Sequence, residues 1–199
     1  MTINDVSGKI DRRIRKTKQQ LRLGLTKLLK EKSVNEISVR ELSELADLNR
    51  GTFYLHYKDI FDMVEKIENE MFDQFYQTIN KHKIDEDNDS TLYLLTDIFK
   101  FIADNADMCM VLLGENGDLS FVNKLKKVVE DRYLSQWKKK FDTEHIGNFN
   151  YFYSYIVSGC TGLFQAWLEN DMKESPQEMA QLTENIITNG MNFVDMSKK

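Results

Sequence analysis

Apolar residues recur along this chain at helical spacing, and no stretch alternates apolar and polar positions as a half-buried strand does. From Asp11 to about Lys32 they fall at Ile14, Leu21, Leu25, Leu28 and Leu29, one face of a helix. Residues 1–9 are polar and read as a loose start. Ser38 stands as an N-cap before Val39, Leu42, Leu45 and Ala46, and Glu41, three residues on, completes a capping box. Asp47 and Leu48 make a turn. Asn49 caps the next helix, which carries Phe53 inward. Asp59 caps a longer helix with Phe61, Val64, Ile67, Met71, Phe75 and Ile79 on one side.

Residues 81–90 are almost entirely polar and predict a solvent loop. Helical spacing resumes at 91–105, with Leu92, Leu95, Ile98, Phe99 and Ile102 inward. A glycine-bearing turn comes next at Gly114–Gly117, then a helix at 120–140 with Phe121, Leu125, Val128 and Val129 inward. Residues 146–168 contain no charged side chain. A membrane span is rejected, because the run holds three glycines and several polar side chains and lacks the aliphatic density that insertion requires. A helix buried on all sides in a bundle fits better. Ser175-Pro176-Gln177-Glu178 opens a final helix with Met179, Leu182, Ile186 and Phe193 as its apolar face. The fold class is therefore all-α, about nine helices in total. A three-helix head occupies 1–60 and a larger helical bundle 61–199.

Composition adds two points. Proline occurs once in 199 residues, which suits long uninterrupted helices. The net charge of −5 conceals a division: residues 1–60 hold 13 basic against 8 acidic side chains, and 61–199 hold 14 against 24. Ten of the basic residues lie within Lys9–Lys32, beside two acidic ones. Such a run is either a solvated helix face or the part that meets a polyanion. The start of the chain shows no apolar signal-peptide region. Cys109 and Cys160 sit in apolar runs without a pairing pattern, so both read as buried thiols of a reducing cytoplasm.

The segment beyond the basic run decides between its two readings. Two short helices joined by a tight turn outline a helix-turn-helix, whose second helix enters the major groove of DNA while basic groups hold phosphates. Gly51 removes a side chain where backbone approaches DNA. Arg50 and Thr52 offer groups to base edges or phosphate, and Tyr54, His56, Tyr57 and Lys58 cluster at the helix end as donors to phosphate oxygens. The alternative for Tyr54 and Tyr57 is simple core packing.

The segment from Glu36 to Asp59, and above all Gly51-Thr52-Phe53-Tyr54 followed by Tyr57-Lys58, resembles the TetR-type transcriptional regulators. The likeness covers roughly residues 10–65. Asp47 stands where that family often has glycine, and an aspartate can adopt the left-handed conformation required there. The resemblance implies a DNA-binding head on a body that dimerises and takes a small effector. It implies contacts to double-stranded DNA from Arg40, Asn49, Arg50, Gly51, Thr52, Tyr54, Leu55, His56, Tyr57 and Lys58. Arg50 and Thr52 would face bases, Leu55 a thymine methyl, and Arg40, Tyr57 and Lys58 phosphate.

No other motif competes. His56, His82 and His145 lack ligand partners at metal spacing, no cofactor loop stands out, and nothing argues for an enzyme. The late aromatics are core and interface, or the lining of an adaptable cavity. Candidate lining residues are Phe99, Met108, Trp137, Tyr155 and Trp167. The acidic body leans toward a hydrophobic neutral or cationic effector. Gly159, Gly162, Phe164 and Ile186 are expected at a homodimer interface. The expected function is operator binding and repression relieved by an effector. A DNA-bound interaction protein, whose body docks a protein partner, is the alternative.

Overall fold

The computed structural model describes residues 3–81, 89–113, 119–140 and 149–195. Among them are nine α-helices and no strand: α1 (Ile3–Glu31), α2 (Val39–Leu45), α3 (Arg50–Tyr54), α4 (Ile60–Asn80), α5 (Asp89–Asp104), α6 (Ala106–Leu112), α7 (Leu119–Lys140), α8 (Phe149–Glu169) and α9 (Pro176–Asp195). A 3-10 turn at Val34–Glu36 joins α1 to α2. The all-α class thus stands. The glycine turn at 114–117 and most of the polar stretch at 81–90 lie outside the described residues.

Two compact units divide the chain, Met1–Asn69 and Glu70–Lys199. The division falls inside α4 rather than at residue 60. The reason is that Ile60, Met63 and Ile67, the first inward positions of α4, are buried with the rest of the first unit. Phe61, expected on that inner face, is 55% exposed. The inward series starts one residue earlier than expected and steps by three and then four residues.

In the first unit, α1 begins at Ile3 instead of near Asp11. Ile3, Val6 and Ile10 continue the helical apolar series and no proline interrupts it, so the polar start does not end the helix. Leu21 and Leu25 are fully buried, while Ile14 is exposed. Helix α2 packs on α1, and the crossing is close at Gly24: a β-carbon there would lie 3.0 Å from a Leu42 methyl. Ser38 caps α2 by accepting the Glu41 N–H at 3.2 Å. The reciprocal half of the expected box is replaced, because the Glu41 carboxylate pairs with Lys32. Leu45 is exposed and Leu42 and Ala46 carry the packing.

In the second unit, α5 lies along α9, and α6 packs on α7 and α8. Helix α6 is separate from α5, a break that apolar spacing alone does not reveal. Asn105, buried, donates from its side-chain amide to the Phe101 carbonyl at 3.0 Å and breaks the run there. At the start of α9 the expected capping box is complete. Ser175 N–H and Oγ both donate to Glu178 Oε2 at 2.7 Å, and the Glu178 N–H returns to Ser175 Oγ at 3.3 Å. The bonds from Ser175 hold the Glu178 carboxyl below the usual carboxylate range, as those from Ser33 hold Glu36. A carboxylate with a depressed folded pKa contributes stability that is complete above its unfolded pKa and lost as pH falls through the folded one. Thermal melts by circular dichroism should therefore lose stability as pH drops below the carboxylate range, and Glu178→Gln should flatten that acid limb.

Candidate nucleic-acid interface and body cavity

The turn before α3 is built as the sequence suggests. Asp47 ends α2 with φ of 54°, and the Leu48 N–H donates to the Ser43 carbonyl at 2.9 Å across it, a left-handed helix stop. Asn49 is extended and its Oδ1 accepts the Gly51 N–H at 2.9 Å, which starts α3. Phe53 is fully buried and fixes which face of this five-residue helix looks out.

That outward face carries most of the candidate contact set. Arg50, Gly51 and Lys58 are exposed, Tyr54 is 57% exposed and Leu55 80%. Thr52 and His56 are half-buried. Leu55 thus stands open beside Tyr54 and takes no part in the core. Arg40 is exposed on α2 and its Nε donates to Glu44 at 2.8 Å, so a phosphate there competes with an exposed ion pair of small worth.

Tyr57 is the exception and corrects its expected role. Its ring is 5% exposed and packs against Phe53 with 5.6 Å between centroids. It belongs to the core, because the inward turn after Phe53 returns one position in four to the same face. Two residues that sequence reasoning missed stabilise this region. The Asp62 carboxylate accepts the Lys58 N–H at 2.9 Å and the Lys66 ammonium at 2.8 Å. Lys66 also donates to the His56 carbonyl at 3.2 Å and lies 5.5 Å over the Tyr57 ring. Lys66 first, then the Lys58 N–H, holds the Asp62 carboxyl below its usual range. The i, i+4 spacing of Asp62 and Lys66 was the available signal; the carbonyl they secure is visible only in three dimensions.

The second unit holds a partly open cavity of about 160 Å³, with walls from α4 to α9. The lining is overwhelmingly apolar, with Phe75, Leu94, Phe121, Ile156 and Phe164 prominent. Of the expected lining residues, the four that are described, Phe99, Met108, Tyr155 and Trp167, do not line it. Phe99, Met108 and Trp167 are buried beside it as packing: the Phe99 ring meets Phe164 at 5.0 Å and Trp167 at 5.2 Å, and the Trp167 indole donates to the Glu174 carbonyl at 3.0 Å. Tyr155 is 70% exposed, whereas Tyr153 lines the cavity. Two residues along a helix turn the side chain to the opposite face, so the choice between these tyrosines needed the packing. The Trp137 side chain lies outside the described residues. Burial pushes the Tyr153 phenol up to about 12, with Glu130 and Asp131 adding to it, and pushes the Cys160 thiol up to about 11.

Of the expected interface residues, Phe164 faces the cavity and is withdrawn from that set. Gly159 and Gly162 are exposed, with nothing within 4 Å of a β-carbon built on either, and Ile186 is 43% exposed. They belong to two uncharged outer stripes. One comprises Tyr151, Ser154, Tyr155, Ser158, Gly159 and Gly162 of α8, and the other Leu182 and Ile186 of α9. Helix α8 is thus not enclosed on all sides within one chain. Leu182 and Ile186 are the outer side of α9, while Met179, Ala180, Thr183 and Ile187 are its buried side.

Among the described residues no group of acids, histidines and cysteines is placed to hold a metal ion; His82 and His145 lie outside those residues. No described helix is long and apolar enough to cross a membrane.

Comparison with known proteins agrees with this architecture. A family described as transcriptional regulator C-terminal region, of the TetR type, matches residues 89–189, just over half of the chain. An uncharacterized HTH-type transcriptional regulator, YxbF of Bacillus subtilis (strain 168), is 35% identical over 52 residues. That match covers 26% of this chain and 14% of YxbF, so the chain spans only a small part of that relative. Two solved structures share the fold. A TetR-family regulator from Streptomyces coelicolor has a TM-score of 0.63 at 16% identity, covering 92% of this chain and 84% of that one. A TetR transcriptional regulator from Streptococcus agalactiae 2603V has a TM-score of 0.56 at 19% identity, covering 91% and 98%. With a helix-turn-helix head, an all-helical body and a family match across most of that body, the chain belongs to the TetR-type transcriptional regulators.

Proposed function

We propose that the protein is a homodimeric repressor that binds a pseudo-palindromic operator and is released by a small apolar effector. The observation that carries the DNA half is the outward face of α3, where Arg50 and Tyr54 stand exposed on a helix held by the Asn49 cap and the Phe53 anchor, with Leu55 and Lys58 exposed just past its end. The cavity in the second unit supports an effector over a docked protein partner. Helix α4 gives Met63 and Ile67 to the core of the first unit and Met71 and Phe75 to the cavity wall, so a ligand that shifts α4 biases both units. The uncharged stripes on α8 and α9 support pairing with a second copy.

The test uses an operator recovered from random-sequence DNA by selection with the purified protein. Affinity should fall steeply with salt, since several phosphates release counterions. Arg50→Ala should cost about 1–3 kcal/mol and relax base choice at one position in each half-site. Lys58→Ala should weaken all sequences alike and reduce the salt slope. Unchanged affinity for both variants in mobility-shift titrations would remove α3 as the reading helix.

A further inference from the structure

We propose that the cavity of the second unit takes an apolar carboxylate, its tail among the aromatic and aliphatic walls and its head group paired with the Lys126 ammonium. This rests on the cavity being the effector site and names the chemistry it selects. Lys126 of α7 is the one charged side chain among the described lining residues, and it is half-buried. Among the described residues its ammonium has neither an ion pair nor a hydrogen bond. A cation at an apolar wall that forms no ion pair among the described residues gains from an anion brought by a ligand.

Two further polar groups of the wall, Thr161 and Tyr153, bear on the head group. The Thr161 hydroxyl is spent on the Val157 carbonyl at 2.8 Å. Tyr153 stays protonated and so offers an O–H donor. Donors without a competing acid in the wall select an acceptor, and one cation selects one negative charge. Glu130 and Asp131, exposed on the same helix, act on the Tyr153 phenol, and Glu130 stands one turn beyond Lys126. The volume, about 160 Å³, suits a single ring or a medium alkyl chain. The acidic balance of residues 61–199 pointed to a cation, but it describes the outer surface and not this wall.

The competing account is that the Lys126 stem merely lies along the wall with its ammonium in water. Octanoate, octanol and octylammonium share a tail and differ in head charge, so they separate the two by calorimetric titration of the full-length protein. Octanoate should bind about ten-fold more tightly than octanol, the effect of one charged hydrogen bond. Lys126→Gln should abolish that preference, Lys126→Arg should keep it, and Lys126→Glu should shift it to octylammonium. Circular dichroism melts establish that each variant is folded. Equal or tighter binding of octanol or octylammonium to the unsubstituted protein would overturn the proposal. So would an octanoate preference that survives Lys126→Gln, or no binding of any of the three. The same compounds in the mobility-shift assay test the broader reading separately. Octanoate that binds through Lys126 and leaves the operator complex intact overturns effector release and sustains the ligand class. Release by a neutral or cationic compound alone does the reverse.

Discussion

Gly159→Arg is expected to convert the protein from dimer to monomer in light scattering at micromolar concentration. The sign of the effect is decisive. Within one chain the position is open, with nothing within 4 Å of an added β-carbon, and it lies mid-helix. If α8 faced only water there, replacing glycine would raise helix stability by roughly 0.5–1 kcal/mol and change nothing else. If the stripe containing Tyr155, Gly159 and Gly162 is covered by a second copy, the same substitution buries a bulky cation against an uncharged surface. Loss of the dimer uncouples the two recognition helices, so operator affinity should fall roughly hundred-fold or more. A stabilised protein that remains dimeric would place the interface elsewhere.

Phe53→Ala is expected to destroy operator binding while the second unit keeps its thermal transition. Phe53 is fully buried, carries the ring contacts with Tyr54 at 5.5 Å and Tyr57 at 5.6 Å, and is the inward anchor of a helix only five residues long. Truncating a buried phenylalanine costs about 3–5 kcal/mol. A short helix has no stability of its own to absorb such a loss. Differential scanning calorimetry should show the first unit melting early or absent, with the body transition retained. A variant that binds DNA normally would mean that α3 is held by its caps alone.

Much of the helix framework was legible because its determinants are local. Caps act within three residues, so Ser38, Asn49 and Ser175 declared helix starts, and Asp47 declared the left-handed turn before α3. The outward face came with them, since burying Phe53 exposes Arg50, Tyr54 and Leu55 on a helix of fixed pitch. Three of the misplacements share one cause. Phe61, Leu182 and Tyr155 are apolar or amphipathic residues at helical spacing, yet each is exposed. An apolar stripe wider than one neighbour can cover leaves its inner edge undefined until the neighbour is in place.

The sequence by itself determined the all-helical class, the helix-turn-helix and its outward face, and the charge-free segment that supplies α8, because period, caps and charge are written along one chain. Only the tertiary structure decided which aromatics enclose space and which fill it. It set Phe164 and Tyr153 at the cavity and Phe99, Met108 and Trp167 behind it. It brought Lys126 to an apolar wall and the Lys66 ammonium to the His56 carbonyl. A cavity is what remains when six helices meet, and its position depends on how their side chains interlock across tens of residues of separation, which no local pattern encodes.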